Sequence, residues 1–313
     1  MGHVIGESGN QVLKGVSRSF YLSLRLLPGP MRGAASLGYL LARASDTLAD
    51  SAAVPADVRL GFLEGFRAAV AGTRELQRWP HSLLNSVPDA RERHLLEMAR
   101  DLVGMLEKLP AAEALLVRKV VETIIGGQAL DLERFVGATP GHPVSLADDA
   151  ALDDYSWRVA GCVGEFWTEL GFLTLGGRFS VSTLADLRER GIAYGKGLQL
   201  VNILRDVGED LAHGRCYLPV ADPLNLGELL ACHARWQERA VGWIREGERY
   251  AATLRSRRLR AATVLPAWIA GKTLANLEGM TAEGLRRRVK VSRGFVYRSM
   301  IRAFLGDPGR MCG

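Results

Sequence analysis

The sequence predicts an all-α protein that folds as one helical domain. Apolar residues recur at intervals of three and four over most of the 313 residues, as on the buried face of a helix, and the alternating patterns of strands are nearly absent. Clusters of Pro, Gly and polar residues separate the periodic segments. No Ser/Gly-rich linker or shift in composition divides the chain, so we expect a single domain of residues 1–313.

The predicted helices follow one another along the chain, each separated from the next by residues that disfavour helix. They cover residues 17–26, 31–50, 57–77, 90–108, 111–137, 149–177, 181–212, 226–254, 258–283 and 285–305. The main connections lie near Pro55 and in the stretches 79–88, 137–143 and 213–223. Proline interrupts a helix and glycine weakens it, so these stretches set the predicted helix ends.

Composition narrows the class of protein further. With 48% hydrophobic and 24% charged residues, the chain can form a core and does not resemble a disordered sequence. No apolar run reaches the roughly 18 residues of a membrane-spanning helix, and the first residues lack the pattern of a secretory signal. The four cysteines form no CxxC pair, which favours reduced thiols. We therefore expect a cytoplasmic protein.

The positive charge is concentrated near the C-terminus. The net charge is +6, and the segment 255–302 holds twelve Lys or Arg residues against two acids, Glu278 and Glu283. Such a segment favours contact with an anionic surface, so a peripheral position on the inner face of a membrane is one interpretation. A solvated helix face is the other. Nucleic acid is not an expected partner, because the segment has few aromatic residues and no recognition motif.

Two predicted helices each carry polar residues on one face. The first stripe falls within an arc of roughly 60° at about 100° per residue, and the second within roughly 80°. The first stripe consists of Tyr39, Arg43, Asp46 and Asp50, and the second of Gln199, Asn202, Asp206 and Asp210. The flanking positions are apolar, so both stripes lie on helices that otherwise contribute to the core.

The acidic pairs in these stripes indicate a metal site. Carboxylates one helical turn apart repel each other, and burying them without a partner costs free energy. Mg²⁺ removes this conflict, since it binds one or two carboxylates and takes further oxygens from substrate phosphates. Arg18, Arg43 and Arg205 are suited to hold phosphate oxygens. The pattern therefore predicts a site for prenyl-type diphosphates, and a solvated acidic face is the alternative for either pair alone.

Four segments make the chain similar to the squalene/phytoene synthase family, over residues 17–304. They are SRSF from Ser17, YLLARASDTLAD from Tyr39, VAGCVG from Val159 and QLVNILRDVGEDLAHGRCYLP from Gln199. The resemblance implies an isoprenoid-synthase-type helical bundle around a central cavity. It also implies that Mg²⁺ is held against the substrate diphosphates by Asp46, Asp50, Asp206, Asp210 and Asn202. Diphosphate binding or cavity lining is implied for Ser17, Arg18, Tyr39, Arg43, Gln199 and Arg205.

Within the family, two details favour a squalene synthase. The first acidic motif reads DT where carotenoid-type members more often have DD, and RVKVSRGFVYRSM resembles a basic segment of squalene synthases associated with NADPH. Lys290 and Arg293 would then contact NADPH. The implied reaction joins two farnesyl diphosphates head to head through presqualene diphosphate and reduces the product to squalene, for sterol or hopanoid biosynthesis.

One departure from the family leaves the proton-handling residue open. Members commonly have YCxYVAG or YCxxVAG, whereas this chain reads YSWRVAG, with Arg158 at the position of a tyrosine often assigned to catalysis. Tyr155 or Tyr39 is the expected substitute, and Arg43 completes the expected catalytic set. Asp131, in GGQALDLERF, resembles a position of carotenoid-type members.

Two alternatives to a squalene synthase stay open at this point. A family member without the reduction would release presqualene diphosphate, dehydrosqualene or phytoene. A noncatalytic helical protein would bind a membrane through its basic segment. No GxGxxG follows a strand-like run, so a Rossmann domain is not expected. The spacing of His213, Cys216, Cys232 and His233 matches no usual zinc site.

Overall fold

The computed structural model describes residues 6–16, 20–285 and 289–305. Helices dominate these ranges, so the all-α prediction is confirmed, and the strands found there form one short parallel pair, Val144–Ser145 (β1) with Arg215–Cys216 (β2). The chain forms two compact units. The first unit comprises Met1–Glu133 and Glu169–Gly176, and the second comprises Arg134–Thr168 and Gly177–Gly313. A single domain around a central cavity stays a prediction.

The first stripe belongs to one of the two long helices of the first unit. The helices here are α1 (Gly6–Val16), α2 (Phe20–Leu26), α3 (Gly29–Asp50), α4 (Ala56–Ala71), α5 (His81–Ser86), α6 (Ala90–Glu97), α7 (Ala99–Met105) and α8 (Ala111–Arg134). Pro30 lies in the first turn of α3. Backbone N–H groups in that turn have no acceptor within the helix, so proline, which lacks an N–H, removes no helical hydrogen bond there. Its buried face repeats at three and four through Leu37, Leu41, Ala44 and Leu48, which anchors the helix and leaves the polar face for the site.

The second unit is built around the helix that carries the second stripe. Its helices are α9 (Asp149–Ser156), a π-helical turn (Trp157–Gly161), α10 (Cys162–Leu175, whose last turns belong to the first unit), α11 (Leu184–Leu211), α12 (Leu226–Thr253), α13 (Arg257–Leu277), α14 (Ala282–Leu285) and α15 (Arg293–Leu305). Thr183 caps α11 by accepting a hydrogen bond from Asp186 N at 3.2 Å. Leu200 and Leu204 of α11 are buried in one core with Trp236 of α12.

Most predicted helices are present, with ends shifted by up to eight residues, but α1 and α5 were not predicted. Gly6, Gly9 and Gly15 lower the helix propensity of α1, which nevertheless buries Val12 and Leu13. Helix α5 lies between Pro80 and Pro88, and these prolines led the sequence analysis to predict a loop over residues 79–88. Pro80 directly precedes its first residue, a position where proline does not disturb the helix. Both are cases in which tertiary burial outweighs local propensity.

Glycines allow the segment around α10 to approach α11 closely. A Cβ at Gly164 would lie 1.8 Å from the carbonyl oxygen of Gly191, and one at Gly195 would lie 2.2 Å from that of Ala160. Neither distance is compatible with non-bonded atoms, so only glycine fits at these crossings. An added Cβ at Gly161 would lie 2.9 Å from Lys196 Cγ. Gly161 and Gly164 are therefore positions where the helices pack closely.

Candidate active site

The first stripe contains a small ionic network centred on Arg43. Its Nη1 atom lies 3.6 Å from Asp46 Oδ2, and its Nη2 atom donates a hydrogen bond to Glu92 Oε1 on α6. Arg43 Nε is buried and has no hydrogen-bond partner within the described part of the chain. Among the described residues, the guanidinium therefore keeps one donor without an acceptor.

Asp46 is held from a second helix of the same unit. Gln128 on α8 donates an Nε2 hydrogen to Asp46 Oδ1. Burial and the negative charge of Asp50 raise the pKa of Asp46 to about 7, although Arg43 and Gln128 act in the opposite direction. The Asp46 side chain is still 43% exposed, so a metal ion can reach it. Asp46 resists ionisation because its burial disfavours the charge and because a second carboxylate, Asp50, lies nearby. A bound divalent cation would offset the negative charges of both carboxylates and so favour their ionised forms.

The other predicted residues of this unit are placed as follows. Tyr39, one helical turn before Arg43, donates its hydroxyl hydrogen to Val16 O at 3.4 Å. Asp50 is exposed at the C-terminal end of α3. Ser17 and Arg18 lie outside the described residues, so their binding of diphosphate stays a prediction.

The second stripe lies on α11. Arg205 donates from Nε to Asp206 Oδ1 at 2.8 Å and from Nη2 to Asp206 Oδ2, so these adjacent residues form a bidentate pair. Hydrogen bonding to Asp206 raises the pKa of Arg205. Asn202 is exposed, and Gln199 and Asp210 are half-buried. This stripe therefore also combines carboxylates with an arginine and amide side chains, the donor set that a metal-bound diphosphate requires.

A pocket of about 530 Å³ borders the second stripe. It is lined by three charged residues, Arg205, Asp206 and Glu209, and by mainly apolar side chains, among them Leu211, Leu224 and Leu285. Charged groups beside apolar walls suit an amphiphilic ligand with an anionic head and a hydrocarbon tail.

Tyr155 and Arg158 lie near the π-helical turn of the second unit. Tyr155 is 8% exposed and stacks on Tyr217 with 4.9 Å between ring centroids. Arg158, at the position of the family tyrosine, donates from Nε to Asp154 Oδ2 at 2.8 Å. Single π-turns are frequent at functional sites. A proton-handling role for Tyr155 or Tyr39 stays a prediction.

Two residues of the first network were not predicted from the sequence. Glu92 and Gln128 come from α6 and α8, far along the chain from the residues that they contact on α3. The sequence offered one signal for Gln128, which lies three residues before Asp131 and so on the same side of its helix. Nothing in the local sequence around Glu92 distinguishes it from a surface residue.

The basic C-terminal segment presents its predicted cofactor residues to solvent. Lys290 and Arg293 are exposed, and Arg293 begins α15. The Arg302 guanidinium lies 5.2 Å from the ring centroid of Trp268, which fastens α15 onto α13. In the ranges that the structure describes, every helix is too short or too polar to cross a bilayer.

Comparison with known proteins identifies the family. A family model described as squalene/phytoene synthase matches residues 13–294. The chain belongs to the squalene/phytoene synthase family. Members of this family are prenyl transferases that act on prenyl diphosphates, typically with a divalent metal.

Individual relatives show how far this similarity extends. The presqualene diphosphate synthase of Zymomonas mobilis is 30% identical over 294 residues, covering 88% of this chain and 84% of that protein. The bifunctional lycopene cyclase/phytoene synthase of Phaeosphaeria nodorum is 30% identical over 218 residues, which cover 66% of this chain but only 33% of that longer protein. The solved complex of TcSQS with the ligand E5700 has a TM-score of 0.75 at 24% identity, covers 95% of this chain and 85% of that one, and shows the same fold.

The residues present in this family member fit Mg²⁺ bound together with its substrate. Within residues 6–16, 20–285 and 289–305, no three His, Cys, Asp or Glu side chains are grouped as a metal site by themselves. Mg²⁺ usually takes one or two protein carboxylates and completes its shell with water and phosphate oxygens, so a pair of aspartates is a sufficient protein contribution. Cys162, Cys216 and Cys232 are buried thiols, and Cys312 lies outside the described residues.

The raised pKa of Asp46 predicts a pH-dependent response to Mg²⁺. Between about pH 4, the pKa of an unfolded aspartate, and pH 7, the folded protein binds a proton at Asp46 that the unfolded chain does not bind, so this group costs the folded state stability as the pH rises through this range. Mg²⁺ must displace that proton at pH 6 but not at pH 8. We expect Mg²⁺ to bind the first stripe about tenfold more weakly at pH 6 than at pH 8.

Thermal-shift titrations with Mg²⁺ at the two pH values measure this difference. The matched control is Asp46→Asn, which cannot titrate at this position and should lose the pH dependence of its remaining response. Equal half-saturating Mg²⁺ concentrations at pH 6 and pH 8 in the unmodified protein would contradict the expectation.

Proposed function

We propose that this prenyl transferase is a squalene synthase that joins two farnesyl diphosphates into presqualene diphosphate and reduces that intermediate with NADPH. The observation that carries the proposal is the pair of acidic stripes, each with an arginine beside its first aspartate. Arg43 accompanies Asp46 in the first unit, and Arg205 accompanies Asp206 in the second. A reaction between two diphosphates needs two sets of groups that hold them.

The first half-reaction begins when the C–O bond of one farnesyl diphosphate breaks. The electron pair leaves with the diphosphate, the double bond of the second substrate attacks the resulting allylic cation, and loss of a proton closes the cyclopropane ring. Bound Mg²⁺ would supply charge neutralisation at the diphosphates. Arg43 and Arg205 would hold diphosphate oxygens, and apolar walls would keep water from the cation.

The second half-reaction removes the remaining diphosphate and reduces the rearranged cation with hydride. Lys290 and Arg293 support this step, because they are exposed cations that could contact the phosphates of NADPH. Neither residue belongs to an acidic stripe, so this role is separate from the condensation.

A second candidate is an enzyme that stops at presqualene diphosphate. One observation favours it: the Zymomonas relative named as a presqualene diphosphate synthase matches most of both chains. The same first half-reaction would then be the whole activity.

Product analysis tests both candidates directly. The purified protein is incubated with farnesyl diphosphate and Mg²⁺, with and without NADPH, and the products are identified by mass spectrometry. The squalene synthase proposal requires presqualene diphosphate without NADPH and squalene with it. Presqualene diphosphate under both conditions supports the second candidate, and no diphosphate release under either condition would refute both.

The basic segment is expected to separate the two half-reactions. We predict that Lys290→Ala combined with Arg293→Ala leaves condensation largely intact but accumulates presqualene diphosphate at limiting NADPH, because the double variant lacks two cations for the cofactor phosphates. Raising the NADPH concentration should partly restore squalene. The ratio of squalene to presqualene diphosphate measured against NADPH concentration checks this.

The matched control is Arg257→Ala combined with Arg258→Ala, which removes two exposed cations from the same segment. An unchanged product ratio in the Lys290/Arg293 variant would contradict the cofactor role. Weaker sedimentation of both double variants with anionic vesicles would instead support membrane contact through the overall charge of the segment.

A further inference from the structure

Gln128 contacts the first stripe from a different helix. It is only 8% exposed on α8, and its Nε2 atom donates to Asp46 Oδ1. An ionised carboxylate can only accept hydrogen bonds, so this contact sets the orientation of the amide, with the nitrogen towards Asp46 and the oxygen away from it. The amide group therefore orients one oxygen of a candidate metal ligand.

The other end of this amide is unsatisfied. Gln128 Oε1 is buried and accepts no hydrogen bond from any residue that the structure describes. A buried carbonyl oxygen without a donor costs free energy, and an apolar side chain of similar size would avoid that cost. This oxygen therefore keeps its acceptor capacity for a donor outside the described protein chain, such as a water molecule.

The two oxygens of Asp46 are engaged unequally. Oδ1 accepts from Gln128, whereas Oδ2 lies 3.6 Å from Arg43 Nη1, beyond a normal hydrogen-bond distance. Oδ2 is therefore the oxygen that an ion can bind without breaking the contact to α8. Metal-ligating carboxylates are usually oriented by such partners, and Mg²⁺ usually keeps several water molecules that can donate hydrogen bonds.

We propose that Gln128 is the positioning residue of the first metal site: its amide nitrogen holds Asp46 Oδ1, and its carbonyl oxygen accepts a hydrogen bond from a water molecule bound to the metal. This inference rests on the proposed role of Asp46 as a metal ligand. It assigns to α8 a part in metal binding that neither acidic stripe contains.

The test uses the full chain carrying Asp206→Asn, so that the first stripe dominates the response, and Mg²⁺ alone as the probe. Thermal-shift titration gives the Mg²⁺ concentration for half-maximal stabilisation. Gln128→Met keeps the volume but removes the amide, and we expect it to raise that concentration about tenfold, as is typical when a partner of a metal ligand is lost. The melting temperature without metal should change little. The variant loses the stabilising hydrogen bond to Asp46, but it also loses the buried, unsatisfied Oε1 atom, which destabilises the fold.

The matched control is Gln237→Met, which removes a half-buried amide on α12 that donates to Leu274 O at 2.9 Å on α13. It should leave the Mg²⁺ response unchanged. If Gln128→Met lowers the melting temperature but binds Mg²⁺ like its parent, Gln128 is merely structural and the inference is wrong, while the metal site stands. If the parent itself shows no stabilisation by Mg²⁺, the proposed metal role of Asp46 fails instead.

Discussion

Replacing Asp46 or Asp206 by Asn is expected to abolish turnover of farnesyl diphosphate while preserving the fold. Each substitution keeps the shape of the side chain but removes the charge that would hold a metal-bound diphosphate. We expect losses of at least about two orders of magnitude, because the metal contributes several kcal/mol to stabilising the departing diphosphate. Diphosphate release under saturating Mg²⁺ measures the effect.

The two variants should differ in stability without metal. Asp46→Asn removes a carboxyl group whose charged form is disfavoured by burial and by Asp50, so it should raise the melting temperature at pH 8. Asp206→Asn leaves Arg205 without its bidentate partner and should lower the melting temperature slightly, because both side chains are partly exposed. The control is Asp101→Asn, an exposed residue of α7, with unchanged activity expected. Full activity in either stripe variant would overturn the assignment of that stripe.

Replacing Gly164 by Ala is expected to disrupt the second unit. The added Cβ would lie 1.8 Å from Gly191 O, a backbone atom that no side-chain rotation can move away. Helices α10 and α11 would have to separate, and α11 carries the second stripe. We expect a loss in the free energy of unfolding of at least about 3 kcal/mol, the upper end for overpacked cores.

Gly242→Ala provides the matched control. Gly242 is exposed on α12, and an added Cβ would meet no atom within 4 Å. Alanine has the higher helix propensity, so this variant should be more stable by about 0.5–1 kcal/mol. Chemical denaturation of the Gly164→Ala and Gly242→Ala variants measures their free energies of unfolding against that of the unmodified protein. Equal stability of the two would show that the close approach of α10 and α11 is not as tight as described.

The helical fold and the acidic stripes were predictable from the sequence, because both depend on local periodicity. Leu37, Leu41 and Leu48 recur on one side of α3, while Asp46 and Asp50 recur on another, and the geometry of a single helix is enough to separate these faces. The family followed from long motifs that need no spatial information. Helix α5 escaped prediction because Pro80 and Pro88 dominate its local signal, while burial of Leu83 stabilises the short helix.

Contacts between distant parts of the chain could be decided only by the tertiary structure. The sequence alone identified Asp46 as a candidate ligand, but the approach of α6 and α8 placed Glu92 against Arg43 and Gln128 against Asp46. Burial, the largest cause, raises the pKa of Asp46, and the hydrogen bond from Gln128 lowers it; both depend on the tertiary structure, whereas Arg43 and Asp50 act from the same helix. A carboxyl group takes its pKa and its orientation from neighbours in space, and helix periodicity reports only neighbours on the same helix.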